Sequence, residues 1–156
     1  MSLTVIAVGE KMPTWVSDVF QEYAKRLPHE YRLLLIEIPA AKRHKNANSL
    51  HLKTLESDKI LAALPKGAYV VALDEHGALH TSTALAQRLG NWRREHPQIC
   101  FVIGGPDGLG EAILTRANEK WSLSPLTLPH PMVRVVLAEQ LYRAWSILQD
   151  HPYHRE

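Results

Sequence analysis

Five short apolar runs, each separated from the next by a segment of helical spacing or a break, constrain this chain more than any other feature. They are Leu3 to Val8, Leu33 to Ile38, Tyr69 to Leu73, Ile99 to Ile103 and Trp121 to Leu126. The first is apolar without alternation, as in a strand buried on both faces. Pro13 opens a helix carrying Trp15, Val19, Tyr23 and Leu27 at helical spacing, and Pro28 stops it. A second helix, from about Asn48 to Leu64, shows Leu52, Leu55, Lys59 and Ala62 or Ala63 at that spacing before the break Pro65-Lys66-Gly67. Thr81 or Ser82 can cap a third through Leu85, Leu89 and Trp92, with His76 and His80 left in a loop before it. A short helix over Gly110 to Asn118 and a long one from about Pro131 to Leu148 complete the series. Strands alternating with helices predict an α/β fold, a parallel sheet flanked by helices. At 156 residues, with no repeat and no linker, the expected organisation is one domain over residues 1–156.

Two loops follow the last two runs. Gly104-Gly-Pro-Asp-Gly-Leu-Gly110 lacks β-carbons where a ligand could lie against main chain, and glycine there opens φ values closed to other residues. In Leu123-Ser-Pro-Leu-Thr-Leu128-Pro-His-Pro131, three prolines fix φ and remove donors, giving an ordered extended loop. Loops at the carboxyl ends of neighbouring strands are where an open α/β sheet holds its ligand. The glycine loop is no phosphate loop, because Glu111 stands where a lysine would be needed. Nor does it complete a dinucleotide fingerprint. Asp107 would repel phosphate, so an uncharged or cationic ligand is expected.

The last helix is apolar around most of its circumference, with Glu139 and Arg143 in a narrow polar stripe at ion-pair spacing. Such a helix is buried on more than one side. In so short a chain a second copy is the natural cover, so a homodimer is expected. The helix is followed by His151-Pro-Tyr-His-Arg-Glu156, which places imidazole, phenol and guanidinium together. That set can stack on a base, bond its edge and pair with phosphate. The tail is expected to cover no core.

Net charge is only +2, but Lys42-Arg43-His44-Lys45 is a basic run, readable as a solvated loop or as a phosphate footprint. The single Cys100 lies in an apolar run and reads as a buried thiol, pointing to a reducing cytoplasm. No apolar run approaches the roughly 20 residues of a membrane span. The start reads as a strand, not a signal peptide. Neither His76 and His80 nor His151 and His154 has the spacing of a metal site, so no metal is expected.

The Ile-Gly-Gly-Pro-Asp-Gly loop, the Leu-Ser-Pro-Leu-Thr-Leu-Pro-His-Pro segment, Arg143-Ala-Trp-Ser146 and the His-Pro-Tyr-His-Arg-Glu end stand in one order. With Val8-Gly-Glu-Lys-Met-Pro-Thr-Trp15 and Ile38-Pro-Ala-Ala-Lys-Arg43, they resemble a family along essentially the whole chain. It is the bacterial family of large-subunit (23S) ribosomal RNA pseudouridine N3-methyltransferases designated H, minimal members of the SPOUT, or α/β-knot, class. The resemblance implies a C-terminal trefoil knot, an exception to the rule against knots. It also implies a homodimer, and S-adenosylmethionine as methyl donor without a metal. Carried residue by residue, Leu73, Gly104, Leu123, Ser124, Pro125, Leu126, Thr127 and Leu128 would form the donor pocket. His154 would be the candidate base, with Tyr153 and Arg155 orienting the acceptor. Asp107 and Pro125 depart from the family pattern, where Glu and a residue bearing an N–H are familiar. The substrate would be ribosomal RNA, expected in the assembled ribosome because no separate RNA-binding domain is present. A non-catalytic ribosome-binding factor and a flavodoxin-like nucleotide module are the competing readings, the second opposed by the missing phosphate loops.

Overall fold

The computed structural model describes residues 1–43 and 46–155. Strands β1 (Ser2–Val8), β2 (Arg32–Ile38), β3 (Tyr69–Leu79), β4 (Gln98–Ile103) and β5 (Glu119–Ser122) form one sheet in the order β2-β1-β4-β3-β5. Every pairing is parallel. Helices α1 (Thr14–Arg26), α2 (Ser49–Ala63), α3 (Ser82–Glu95), α4 (Glu111–Arg116) and α5 (His130–Leu148) connect and follow the strands.

Strand side chains alternate between two apolar layers, as the two-residue period requires. Leu3, Val5 and Ala7 join Phe20 of α1, Leu89 of α3 and Leu137 of α5 on one face. Ile6 and Val8 join Ile60 of α2 and Ile113 of α4 on the other. The central strands are therefore apolar throughout because both faces are covered. Cys100 is buried in the second layer, and burial pushes its thiol up to about 11. No helix among the described residues is long and apolar enough to cross a membrane.

The helix faces differ from the spacing read in the sequence. In α1 the buried residues are Val16 and Phe20, while Trp15 stays 46% exposed. Two apolar stripes lie one residue apart on this helix, and packing on the sheet and α5 selects between them. In α2, Leu52 is buried as the spacing suggests, but Leu55 and Lys59 are exposed, and the buried face is instead completed by Ile60 and the polar Glu56 and Ser57. Those two serve loops: Ser57 Oγ accepts the Gly110 N–H at 2.8 Å, and Glu56 Oε2 accepts the Ala41 N–H at 2.9 Å.

The fifth strand is shorter than expected, ending at Ser122, and the third is longer. His76 and Gly77 lie within β3, not in a loop. The β3 register against β5 shifts between Leu73 and Ala78, both of which face Trp121. A β-carbon at Gly77 would lie 2.6 Å from the backbone of Lys120 and Trp121, so this crossing requires glycine.

Candidate functional site

A cavity of about 590 Å³ opens at the carboxyl ends of β3, β4 and β5, a volume typical of small-molecule sites. Leu73 and Asp74 enter from β3, Gly104 to Leu109 from the loop after β4, and Ser122 to Ser124 with Leu126 to Leu128 from the loop after β5. The first turn of α5 adds His130 and Val133. Seven of the eight expected pocket residues are thus brought together: Leu73, Gly104, Leu123, Ser124, Leu126, Thr127 and Leu128. Pro125, exposed, is not part of the lining. The strands bearing the two loops are not neighbours, because β3 runs between β4 and β5. That insertion places Leu73 between the loops.

The glycine loop meets its expectation in part. Gly104 lines the cavity, but its missing β-carbon makes room for the loop itself: a β-carbon would lie 2.5 Å from the Gly108 carbonyl carbon. Gly105 and Gly108 form a bridge that folds the loop back. Positive φ occurs at Gly108 (+82°) and at neither Gly104 nor Gly105. Asp107 is not a free repelling charge, since Arg43 Nη2 donates to its carboxylate at 2.7 Å. Arg43 also pairs with the buried Glu56 at 3.4 Å. The basic run is therefore partly committed within the protein. His44 and Lys45 lie outside the described residues.

Beneath the cavity, sequence reasoning missed a polar support. Arg134 is 1% exposed; it donates to Glu37 at 2.7 Å and to the Gly9 carbonyl at 2.7 Å. It also lies 3.4 Å from His130 Nε2. Burial, and then the Arg134 charge, lower the His130 pKa below the ordinary histidine value and hold it neutral. An arginine in an otherwise apolar helix stretch was the available signal, readable as a buried anchor for main-chain carbonyls.

The tail does not lie free. Tyr153 packs on the first apolar layer, with its ring edge-on to Tyr142 at 4.7 Å. Its hydroxyl donates to Glu139 Oε2 at 2.8 Å, and Arg143 stacks over its ring at 5.0 Å. Glu139 and Arg143 form the expected ion pair at 2.9 Å. Burial, with the bonds to Tyr23 and Glu139, raises the Tyr153 pKa and keeps the phenol protonated. His154 Nδ1 lies 3.3 Å from Ser146 Oγ, and Arg155 is exposed with φ +55°. Tyr153 therefore lies against the middle of α5 and His154 against its last turn, with Arg155 following them, while the first turn of α5 borders the cavity. None of them lines it.

Residues 1–154 match the family described as "Predicted SPOUT methyltransferase". The chain belongs to the SPOUT methyltransferase family. It is 53% identical over 156 residues, the whole of both chains, to the Ribosomal RNA large subunit methyltransferase H of Hahella chejuensis. The protein of the same name from Thioalkalivibrio sulfidiphilus is 52% identical, again over the full length of both. Solved structures agree in fold at low identity. One, described as giving structural insights into 2-OH methylation of C/U34 on tRNA, is 18% identical with TM-score 0.52, covering 93% of this chain and 97% of that one. A putative methylase family protein from Neisseria gonorrhoeae is 13% identical with TM-score 0.54, covering 90% and 81%. In this SPOUT methyltransferase the cavity accordingly occupies the carboxyl edge of the sheet, and α5 joins it to the tail.

Proposed function

We propose that this chain is a single-domain enzyme, over residues 1–156, that moves a methyl group from S-adenosylmethionine to N3 of a pseudouridine in large-subunit (23S) ribosomal RNA. The full-length likeness to proteins named for methylation of large-subunit ribosomal RNA carries this reading. The cavity fits the donor. Leu73, Ile103, Leu123 and Leu128 offer apolar surface to an adenine, while Asp74 and Glu75 on the rim suit a cation. The pocket residues are Leu73, Gly104 and Leu123 to Leu128, with Pro125 shaping the loop from outside the lining. The trefoil knot belongs to the same reading, supported by the close passage of Gly77 against the Lys120-Trp121 backbone.

When bound, S-adenosylmethionine supplies a methyl on a sulfonium, displaced in line with a neutral thioether leaving. The chain's own task is then mainly positioning. The N3–C bond forms as the C–S bond breaks, and the imide proton must pass to a base. His154 takes that proton, histidine being the side chain that switches near neutral pH. Tyr153 fixes the tail against α5, and Arg155 meets the acceptor or its phosphate.

The pocket takes in the first turn of α5, whereas Tyr153 bonds Glu139 at its middle and His154 lies against Ser146 in its last turn. One copy does not bring them together. A second copy, covering the faces that leave Trp15, Met132 and Leu148 exposed, would deliver its tail to the first copy's pocket. The working species is therefore a homodimer with composite sites, acting in the cytoplasm on the assembled ribosome. A tritiated-methyl transfer assay on naked RNA, free large subunits and whole ribosomes tests this. Label is expected at a pseudouridine of the ribosome, and label on none of the three refutes it. Val136→Asp, which puts a carboxylate on a half-buried position of α5, is expected to yield monomers in sedimentation.

A further inference from the structure

The two tail histidines are held by different ring atoms. Tyr153 N–H donates to His151 Nδ1 at 3.2 Å, so that nitrogen is an acceptor and neutral His151 carries its proton on Nε2. His154 is held through Nδ1 by Ser146, which is 0% exposed. A serine hydroxyl has one proton to give. Ser146 Oγ gives it to the Arg143 carbonyl, one turn back on α5, at 2.7 Å. A carbonyl can only accept, so the direction of that bond is settled. The remaining contact of Ser146 Oγ, at 3.3 Å to His154 Nδ1, is then one in which the serine oxygen accepts.

We infer that Ser146 is a positioning residue: it holds His154 in the tautomer protonated on Nδ1 and leaves Nε2 as the proton acceptor of the tail. This rests on the reading of His154 as the base. It separates the two histidines chemically. His151 is committed to the local turn through Nδ1 and keeps a proton on Nε2. His154 presents an unprotonated Nε2 with no hydrogen-bond partner among the described residues. The ring nitrogen that a hydrogen bond protonates decides which nitrogen is left for chemistry. Ser146 lies in the last turn of α5, far in sequence from Gly104 and Leu123, and it is not part of the cavity lining.

Two measurements on the full-length protein test the inference. Long-range nitrogen–proton correlation spectra of the wild type with its imidazoles neutral are expected to show the Nδ1–H form for His154 and the Nε2–H form for His151. An Nε2–H form for wild-type His154 overturns the assignment. Ser146→Ala is expected to lose the His154 preference and to lower single-turnover methyl transfer by roughly 10- to 100-fold, the worth of one hydrogen bond to a reacting group. S-adenosylmethionine affinity should not change, because Ser146 lies outside the pocket. Ser146→Thr retains the hydroxyl and is expected to recover most of the rate. Ser146→Ala with wild-type rate overturns the positioning role. Full activity of His154→Ala overturns the base itself and with it the catalytic half of this inference. An inactive His154→Ala beside the wrong wild-type tautomer overturns only the part played by Ser146.

Discussion

The two ends of α5 are built on different principles. At its start, the proposed pocket is shaped by main chain: glycines that fold a loop onto itself and prolines that keep another extended. At its end, the tail is held by side chains, through Tyr153 to Glu139 and His154 to Ser146. Main-chain shape is set by residue type at each position, so the first end could be located from composition and order. Side-chain bonds depend on which groups the fold brings within 3 Å or so, so the second end could be suspected but not oriented. A binding surface made of backbone tolerates few insertions of bulk. A side chain held by hydrogen bonds is instead sensitive to single polar atoms.

That contrast can be broken most sharply at His154. Replacing it by Ala is expected to slow methyl transfer by roughly 10²–10⁴-fold, with S-adenosylmethionine binding unchanged by calorimetry. Weakened donor binding would show that tail and pocket are not separable in the way described. Gly104→Val should do the opposite. Its β-carbon would strike Gly108 at 2.5 Å, deforming the loop at a cost of about 1–3 kcal/mol and removing donor binding. Gly108→Ala meets no atom within 4 Å and bears only the strain of φ +82°, about 1–2 kcal/mol. Equal effects of the two substitutions in melting and calorimetry would refute the account of the loop.

Glu139→Ala removes the acceptor of the Tyr153 hydroxyl and the carboxylate paired with Arg143, and is expected to cost about 1–3 kcal/mol in denaturant unfolding. Glu139→Gln keeps an acceptor and should cost less. Because Tyr153 packs on the core, deleting the tail outright would mix stability with chemistry. Point substitutions separate them.

A smaller effect reports on the polar support below the pocket. The His130 pKa is lowered from the ordinary 6.5, as is that of His80. Unfolding raises these values, so the unfolded chain binds more protons and stability falls as pH drops below about 6.5. His130→Gln is expected to flatten the melting temperature against pH between about 6.5 and 5. An unchanged slope would remove His130 from the support. Smallest of all, Asp107→Ala breaks only the partly exposed pair to Arg43, leaves Arg43 beside Glu56, and should cost no more than about 1 kcal/mol. That loss should shrink further in high salt for the Asp107 pair.

What the sequence by itself determined were the elements and the loops that come to line the cavity. Apolar runs without alternation specify strands covered on both faces, and Gly104 and the prolines of residues 125–131 mark where the chain must turn or stay extended. These are local properties of residue type, and they hold wherever the element ends up. Only the tertiary structure decided the rest. It put β3 between β4 and β5, so that Leu73 meets both loops. It chose Val16 and Phe20 over Trp15 as the inner face of α1, and it buried Glu56 and Ser57 because two loops needed acceptors. It also folded Tyr153 and His154 back onto α5, against Glu139 at its middle and Ser146 in its last turn. Each of these depends on a partner outside the residue's own element or turn, and such pairing is settled by which surfaces pack together and not by the pattern along the chain.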